Sequence, residues 1–491
     1  SVYGGTIGAS VGDVWGSMAG FNPPPQGLLA GGMAPTGFEK YDTGLTNSTS
    51  SGNSVQISRS TITDGISDIY GGWALSEASG NSVTLSDTNV TLGTSFYEVT
   101  YDGKTQQKSY LHSDDDTASR IIGGEASNGS ASRNSVTISG KGAVLNDISY
   151  IIGGKAYLDE KKPAEKAEAL GNTVSISDVT ITGAEDGLTI MGADGQTRAG
   201  VSTEEMGSTE EAGNTLSITD ATIKNVTTIF GSFSNEGSAS GNTLSLKNSS
   251  LEGAILEYNE LTLAGAYGDE EANYNELTLE NTTATNINTL FGAFSYGGKA
   301  EHNTTSITGG SLTFTGNAYA ADIIGAYGGH LSTANDLSLT GVAVSGAKTI
   351  ASAYSSYYAR DNTLEITKST AADTEYIYGG RSGTQADGNE VSISDSSLEK
   401  LQEIAGGVSE GVALDDYDPE TKKTYITTPP SANENQVTVS GGTVTTEKIY
   451  GGWVKAGESS TEGATGTTDS NTVTLGDGVT AGTVIGGNNE L

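Results

Sequence analysis

Cysteine is absent from this 491-residue chain, which excludes a disulfide framework and any thiolate metal site. That absence also suits a long chain exported unfolded through an oxidising space. Basic residues are scarce: 24 Lys and Arg face 60 Asp and Glu, for a formal net charge of -36. A polyanion of this kind is repelled by nucleic acid and by anionic membrane surfaces, so neither is an expected partner. No run of about 18 apolar residues occurs, and so no helix is expected to span a membrane. Sustained three-to-four periodicity is missing too, which removes helices as the main element. The hydrophobic share is only 34%, thin for a globule of this size but adequate for a slender rod whose coils each bury a few Val, Ile and Leu.

What the chain has instead is punctuation. The phrase Asn-x-(apolar)-x-(apolar) opens at Asn53, Asn81, Asn134, Asn172, Asn214, Asn242, Asn275, Asn303, Asn335, Asn362, Asn389, Asn435 and Asn471. Each is followed by a closing run of the Ile-Tyr-Gly-Gly type, beginning at Ile69, Ile121, Ile151, Ile190, Ile229, Leu263, Leu290, Ile323, Ile350, Ile377, Ile404, Ile449 and Val484. Asn335 to Asn362 and Asn362 to Asn389 are each 27 residues, a period that signals stacked or radial repeats. Within a unit, Asn81-Ser-Val-Thr-Leu85 alternates as a half-buried strand, and a second apolar stretch such as Val179-Thr-Ile-Thr182 follows a polar turn. Three short strands per coil predict an all-β parallel β-helix of about 13 to 15 coils. A β-propeller needs about 40 residues and four strands per blade, more than the shortest unit holds.

In this reading residues 1–52 are partial or irregular coils, and 53–491 form the β-helix. Insertions interrupt it at 88–120, 156–171, 194–213, 408–434 and 455–470. The last four are expected to leave one corner and gather on one edge, where repeat proteins often bind. Phe96 to Leu111 reads as a β-hairpin turning at Asp102-Gly103, and Tyr417 to Ile426 as a smaller one. The Asn column predicts an inward ladder of amides at a corner, with Asn tolerating a left-handed backbone there. The Gly-Gly pairs predict a second, sharp corner or a close backbone approach. Val2-Tyr-Gly-Gly5 looks like the end of an earlier coil, so the chain is expected to be cut from a longer protein, its export signal and anchor lying outside.

Phrases such as Gly80-Asn-Ser-Val-Thr-Leu-Ser86, Gly171-Asn-Thr-Val-Ser-Ile-Ser177, Gly241-Asn-Thr-Leu-Ser-Leu246 and Ile449-Tyr-Gly-Gly-Trp453 resemble the passenger region of bacterial autotransporters. The resemblance covers roughly residues 53–491. It implies a right-handed β-helical stalk, secreted to the Gram-negative cell surface, acting as an adhesin in cell adhesion rather than as an enzyme. Its partners would be host or bacterial surface proteins or glycans.

Directly after the small pair comes a column of aromatics: Trp73, Phe233, Tyr267, Phe294, Tyr327, Tyr354 and Trp453. These are the candidate binding residues, as stacked rings at a coil spacing of about 4.8 Å can serve as a platform for sugars or a protein. The competing role is a structural ring ladder. Glu125, Lys155, Asp194 and Arg381 share the column, which argues that it is partly exposed. Ser/Thr pairs such as Ser82 and Thr84 line the outer face of the first strand, a solvated β surface too irregular for ice binding.

Catalytic signals are poor. His112, His302 and His330 lie far apart in the repeat, and Gly8-Ala-Ser-Val-Gly12 lacks the strand-to-helix setting of a nucleophile elbow. No cofactor is expected; weak calcium binding is the most that the acidic runs Asp114–Asp116, Asp269–Glu271 and Asp415–Asp416 offer. The alternative function is a polysaccharide-active β-helix lyase or hydrolase.

Overall fold

The computed structural model describes residues 49–491 except 64–65, 67, 94–96, 102–103, 109–117, 159–165, 202–212, 256–260, 316–320, 413, 419–422 and 457–464, and four short strands before residue 31. Side chains of those four strands and of residues 97–101, 104–108, 414–418 and 423–427 are not described. Every described element is a β-strand. The chain falls into two compact units, Ser1–Leu261 and Thr262–Leu491. Each is a parallel β-helix, as the repeat predicts.

In the first unit one coil runs from Ser82–Ser86 through Asn89–Thr91 to Arg120–Ala126 and the short strand Ser130–Ser132. Each strand pairs in parallel with its counterpart a coil away: Val83 with Val136, Val90 with Leu145, Ile121 with Ile151, Ala131 with Ala169. Ser82–Ser86 alternates half-buried and buried residues, so Val83 and Leu85 face the interior while Ser82 and Thr84 do not. The core is a column of such positions, among them Ile69, Ile121, Ile151, Ile190 and Ile229, all at 0% exposure. Burial of each contributes roughly 1.5–3 kcal/mol.

The short fourth strand is the main departure from the predicted three-strand coil. It builds a parallel sheet of its own in the first unit, from Thr49–Ser51 to Arg198–Ala199, and another in the second, from Lys299–Glu301 to Gln385–Asp387. With only three residues and a small central one, it gives no periodic signal in the sequence. Its central alanines close the corner: Ala78, Ala131 and Ala169 pack with Ala126, Ala156 and Ala193.

The Asn ladder forms. In the second unit Asn275, Asn303, Asn335, Asn362, Asn389 and Asn435 each donate an Nδ2–H to the Oδ1 of the next asparagine, at 2.9–3.2 Å. The same Oδ1 accepts the backbone N–H of the preceding asparagine, as Asn389 does from Asn362. The other Nδ2–H goes to a carbonyl of the short strand, for example from Asn389 to Ala359. An equivalent ladder runs from Asn53 to Asn242 in the first unit.

Two details refine the reading of the punctuation. Left-handed backbone falls on the residue before the ladder, as at Gly80, Arg133, Tyr274, His302, Ala334, Asp361 and Glu434, not on the asparagine. The Gly-Gly pair, exemplified by Gly123 and Gly124 within the strand Arg120–Ala126, serves the second of its two expected roles. It is a close approach. A Cβ on Gly123 would meet backbone of Gly153 and Ser135, and one on Gly124 would meet the Asn134 amide. The two sequence signals are therefore one contact: a strand that keeps Gly or Ala at this position lets the amide ladder lie against it.

At the start of the chain, Val2–Tyr3 pairs with Ile57 and Ser58, so it opens a coil and does not close one. The closing strand of that coil is Leu28–Ala30, which pairs with Asp68–Tyr70 and precedes Gly31-Gly32. Both hairpins are antiparallel: Tyr97–Tyr101 with Lys104–Lys108, and Leu414–Asp418 with Lys423–Thr428. Asp102-Gly103 lies outside the described residues, as do 109–117. Of the four insertions assigned to one corner, three begin after the Gly-Gly strand and before the short strand. In the 194–213 insertion the chain still forms Arg198–Ala199 before residues 202–212.

Candidate functional site

The predicted column assembles from strand register. In the second unit Tyr267 pairs with Phe294, Phe294 with Tyr327, Tyr327 with Tyr354, Tyr354 with Arg381, Arg381 with Val408 and Val408 with Trp453. In the first, Trp73, Glu125, Lys155, Asp194 and Phe233 follow one another in the same way. All stand on the outer side of the Gly-Gly strand, since the intervening Ile and Ala face the core.

Exposure divides the seven residues. Trp73 and Trp453 are buried, at 3% and 8%. Phe233, Tyr267, Phe294, Tyr327 and Tyr354 are half-buried. Tyr267 and Phe294 stack at 4.7 Å between centroids with planes 14° apart, and Phe294 and Tyr327 at 4.8 Å and 9°. Their faces cover one another, so the stack withholds ring faces from solvent. The Arg381 guanidinium lies 5.6 Å from the Tyr354 ring and pairs with Glu410 at 2.8 Å.

Beyond Arg381 the same outer face carries residues that the sequence reading missed. Tyr378, Ala405 and Tyr450 are in register, as are Tyr376, Glu403 and Lys448. Tyr378, Val408, Tyr450 and Trp453 pack as one cluster with Ala351 and Ala405, bordered by Tyr354 and Tyr376. Tyr450 and Trp453 rings lie 4.5 Å apart. The Lys455 ammonium sits 4.2 Å from the Trp453 centroid, 6.0 Å from that of Tyr378 and 3.8 Å from Glu403 Oε1. The signal was present in strand parity: in Ile377-Tyr-Gly-Gly380 and Ile449-Tyr-Gly-Gly452 the isoleucine points in, so the tyrosine points out.

Burial governs the ionisation of this cluster. It pushes Tyr354 up to about 12, only partly offset by the Arg381 charge. Burial and the Glu403 carboxylate hold Tyr378 well above the ordinary phenol range. Arg381 is held above its usual value by Tyr354, Glu410 and Tyr378, against its own desolvation. Glu403 is raised by burial despite Lys455, Tyr378 and Arg381. The phenols and the guanidinium thus remain hydrogen-bond donors and a fixed cation at neutral pH; none is a ready base.

In the first unit this face is a charged row. Glu125, 1% exposed, accepts from the Tyr157 hydroxyl at 3.3 Å, and Lys155 lies 5.8 Å from the Tyr157 ring. Burial raises Asp194 against the pull of Lys155. Asp68 and Arg120 pair at 3.5 Å, both buried.

His302 stacks on Tyr274 at 4.8 Å, while His330 lies 5.2 Å from Tyr357 and 5.5 Å from Tyr358. His112, Asp114–Asp116 and Gly8–Gly12 lie outside the described residues. Among the described residues no group of three or more His, Asp or Glu is placed to hold a metal ion. No protein-family profile, curated protein or solved structure matches the chain.

Proposed function

We propose that this chain is a non-catalytic extracellular surface protein, the β-helical passenger of an autotransporter-like bacterial protein, acting as stalk and adhesin. The observation that carries this reading is the half-exposed strip Tyr267, Phe294, Tyr327 and Tyr354, held in register on one outer face and ending on Arg381. A strip of ring edges closed by one guanidinium suits contact with the hydroxyls of a glycan or the carbonyls of a surface protein. The regular Asn and Gly columns supply scaffold.

The test is adhesion of the purified chain to a glycan array and to cells, beside an assay for reducing-sugar or unsaturated-product release. Tyr267→Phe combined with Tyr327→Phe removes two hydroxyls and keeps the ring stack. Adhesion is expected to fall at least fivefold. Undiminished adhesion rejects the strip as the contact, and product release dependent on a carboxylate rejects the adhesin reading.

A further inference from the structure

The strand Ser397–Ser409 places a row of small outward residues, Ala405 and Val408, between two rows that carry large rings. Tyr378 stands on one side and Tyr450 with Trp453 on the other, two strand spacings or about 10 Å apart. The result is a trough with aromatic walls, an aliphatic floor and a buried carboxylate, Glu403, 5% exposed, at one end. Lys455 fills it.

Aromatic faces plus a desolvated carboxylate form the environment that an ammonium group prefers, with ring centroids within about 6 Å. Lys455 meets that description against Trp453 and Tyr378. It does not saturate the site. Its nitrogen stays 3.8 Å from Glu403 Oε1, beyond hydrogen-bond length; the Tyr378 hydroxyl bonds the same carboxylate, but Oε1 and Trp453 Nε1 are buried without a hydrogen-bond partner. The main chain explains the shortfall, since the backbone N–H of Lys455 is fixed on Ser409 O at 2.9 Å and the side chain must fold back from there. A lysine arriving from outside carries no such tether.

We propose that this trough is a binding cage for an alkylammonium group, occupied here by the chain's own Lys455 and taken over by a lysine side chain of a basic partner protein. The occupant follows from charge: a chain at -36 draws basic proteins toward it, and the exchange replaces one cation beside Arg381 and Lys448 with another. This assignment goes beyond the adhesive reading and does not rest on it, because it concerns a different row of residues and a different chemistry.

The experiment measures binding of tetramethylammonium and of a hexalysine peptide by calorimetry, in 0.5 M NaCl to screen attraction by net charge. Lys455→Ala removes the nearest of the three cations beside these rings, leaving Lys448 at 5.6 Å from Trp453 and Arg381 at 5.8 Å from Tyr378, and is expected to bind both probes at least tenfold tighter than the unsubstituted protein. Adding Glu403→Gln to that variant is expected to remove the gain. A Lys455→Ala variant that folds, as judged by circular dichroism, but binds no tighter overturns the proposal. So does a double variant that binds as well as the single one. Should Lys455→Ala fail to fold, Lys455→Gln, which keeps the first two methylenes and loses the charge, is expected to gain at least threefold, and no gain overturns the proposal equally. Loss of glycan or cell adhesion is read separately with Tyr267→Phe and Tyr327→Phe, so either reading can fail alone.

Discussion

Gly380 lies flat against the side-chain amide of Asn389. A Cβ built on Gly380 falls 2.5 Å from Asn389 Oδ1, 2.6 Å from Cγ and 2.7 Å from Nδ2. Asn389 cannot retreat without loosening its bonds to Asn362, Asn435 and Ala359. Yet Ala353, the register partner of Gly380, carries a methyl at the equivalent position, so the strand has a known way to give. Gly380→Ala is therefore expected to cost about 1 kcal/mol and Gly380→Val about 3 kcal/mol, measured by urea denaturation. Equal costs for the two would show that the amide contact is not what selects small residues here.

The ladder itself predicts a larger loss. Asn362 Oδ1 accepts from the Asn335 backbone N–H and Nδ2, while its own Nδ2 serves Ser332 O and Asn389 Oδ1. Asn362→Ala strands several buried polar groups and is expected to destabilise by about 3 kcal/mol or more. Asn362→Asp keeps the acceptor but turns a carboxylate toward two acceptors, so that variant is expected to be more stable at pH 4 than at pH 7, in a thermal melt at each pH.

Much of this was legible from the chain alone. Asn389 and Gly380 were both readable as structural because each recurs once per coil, and period-2 alternation placed Val391 and Ile393 inside. What was not legible was that the two columns meet, because a nine-residue separation in sequence says nothing about a fold that brings their backbones together. The short strand Tyr358–Arg360 was hidden for a simpler reason: three residues are too few for any periodicity. The aromatic column could be listed from Tyr267 to Tyr354, but ring orientation depends on side-chain torsions that spacing does not encode. Which members of a partly exposed column are covered was not legible either: Trp453 lies under Lys455, a residue outside the column.

Phe294 holds two stacks at once, with Tyr267 and Tyr327. Phe294→Ala is expected to lose both, at about 0.5–1.5 kcal/mol each, plus part of its burial, for a total of about 2–3 kcal/mol. Phe294→Tyr keeps the ring and should stay within about 0.5 kcal/mol. Urea midpoints together with near-UV circular dichroism of the tyrosines provide the check.

Ala334 adopts φ 52° immediately before Asn335, where other coils place glycine, as at Gly241 and Gly388. A methyl in that region costs about 1–2 kcal/mol, partly repaid by the lower entropy of an unfolded alanine. Ala334→Gly is expected to stabilise by about 0.5–1 kcal/mol. A fall in melting temperature would count against it.

Glu403 sets a pH dependence whose sign can be worked out. Its folded value is raised above the unfolded one, so the folded state binds the proton more tightly. The cost of ionising it is absent below the unfolded carboxyl range and grows as pH rises through the folded value. Glu403→Gln is accordingly expected to match the unsubstituted protein in stability near pH 4 and to exceed it increasingly toward pH 7, by thermal melts across that range.

Every amide bond in the two ladders points the same way along the chain, from each asparagine to its successor. A coil therefore cannot complete its own corner: the N–H and Nδ2–H of its asparagine wait for an oxygen that only the following coil supplies. A stack of such coils has two chemically different ends, one presenting the unpaired Oδ1 of its first asparagine and the other the unpaired N–H and Nδ2–H of its last. Two stacks can then join only head to tail along this seam, donors of one meeting the acceptor of the other.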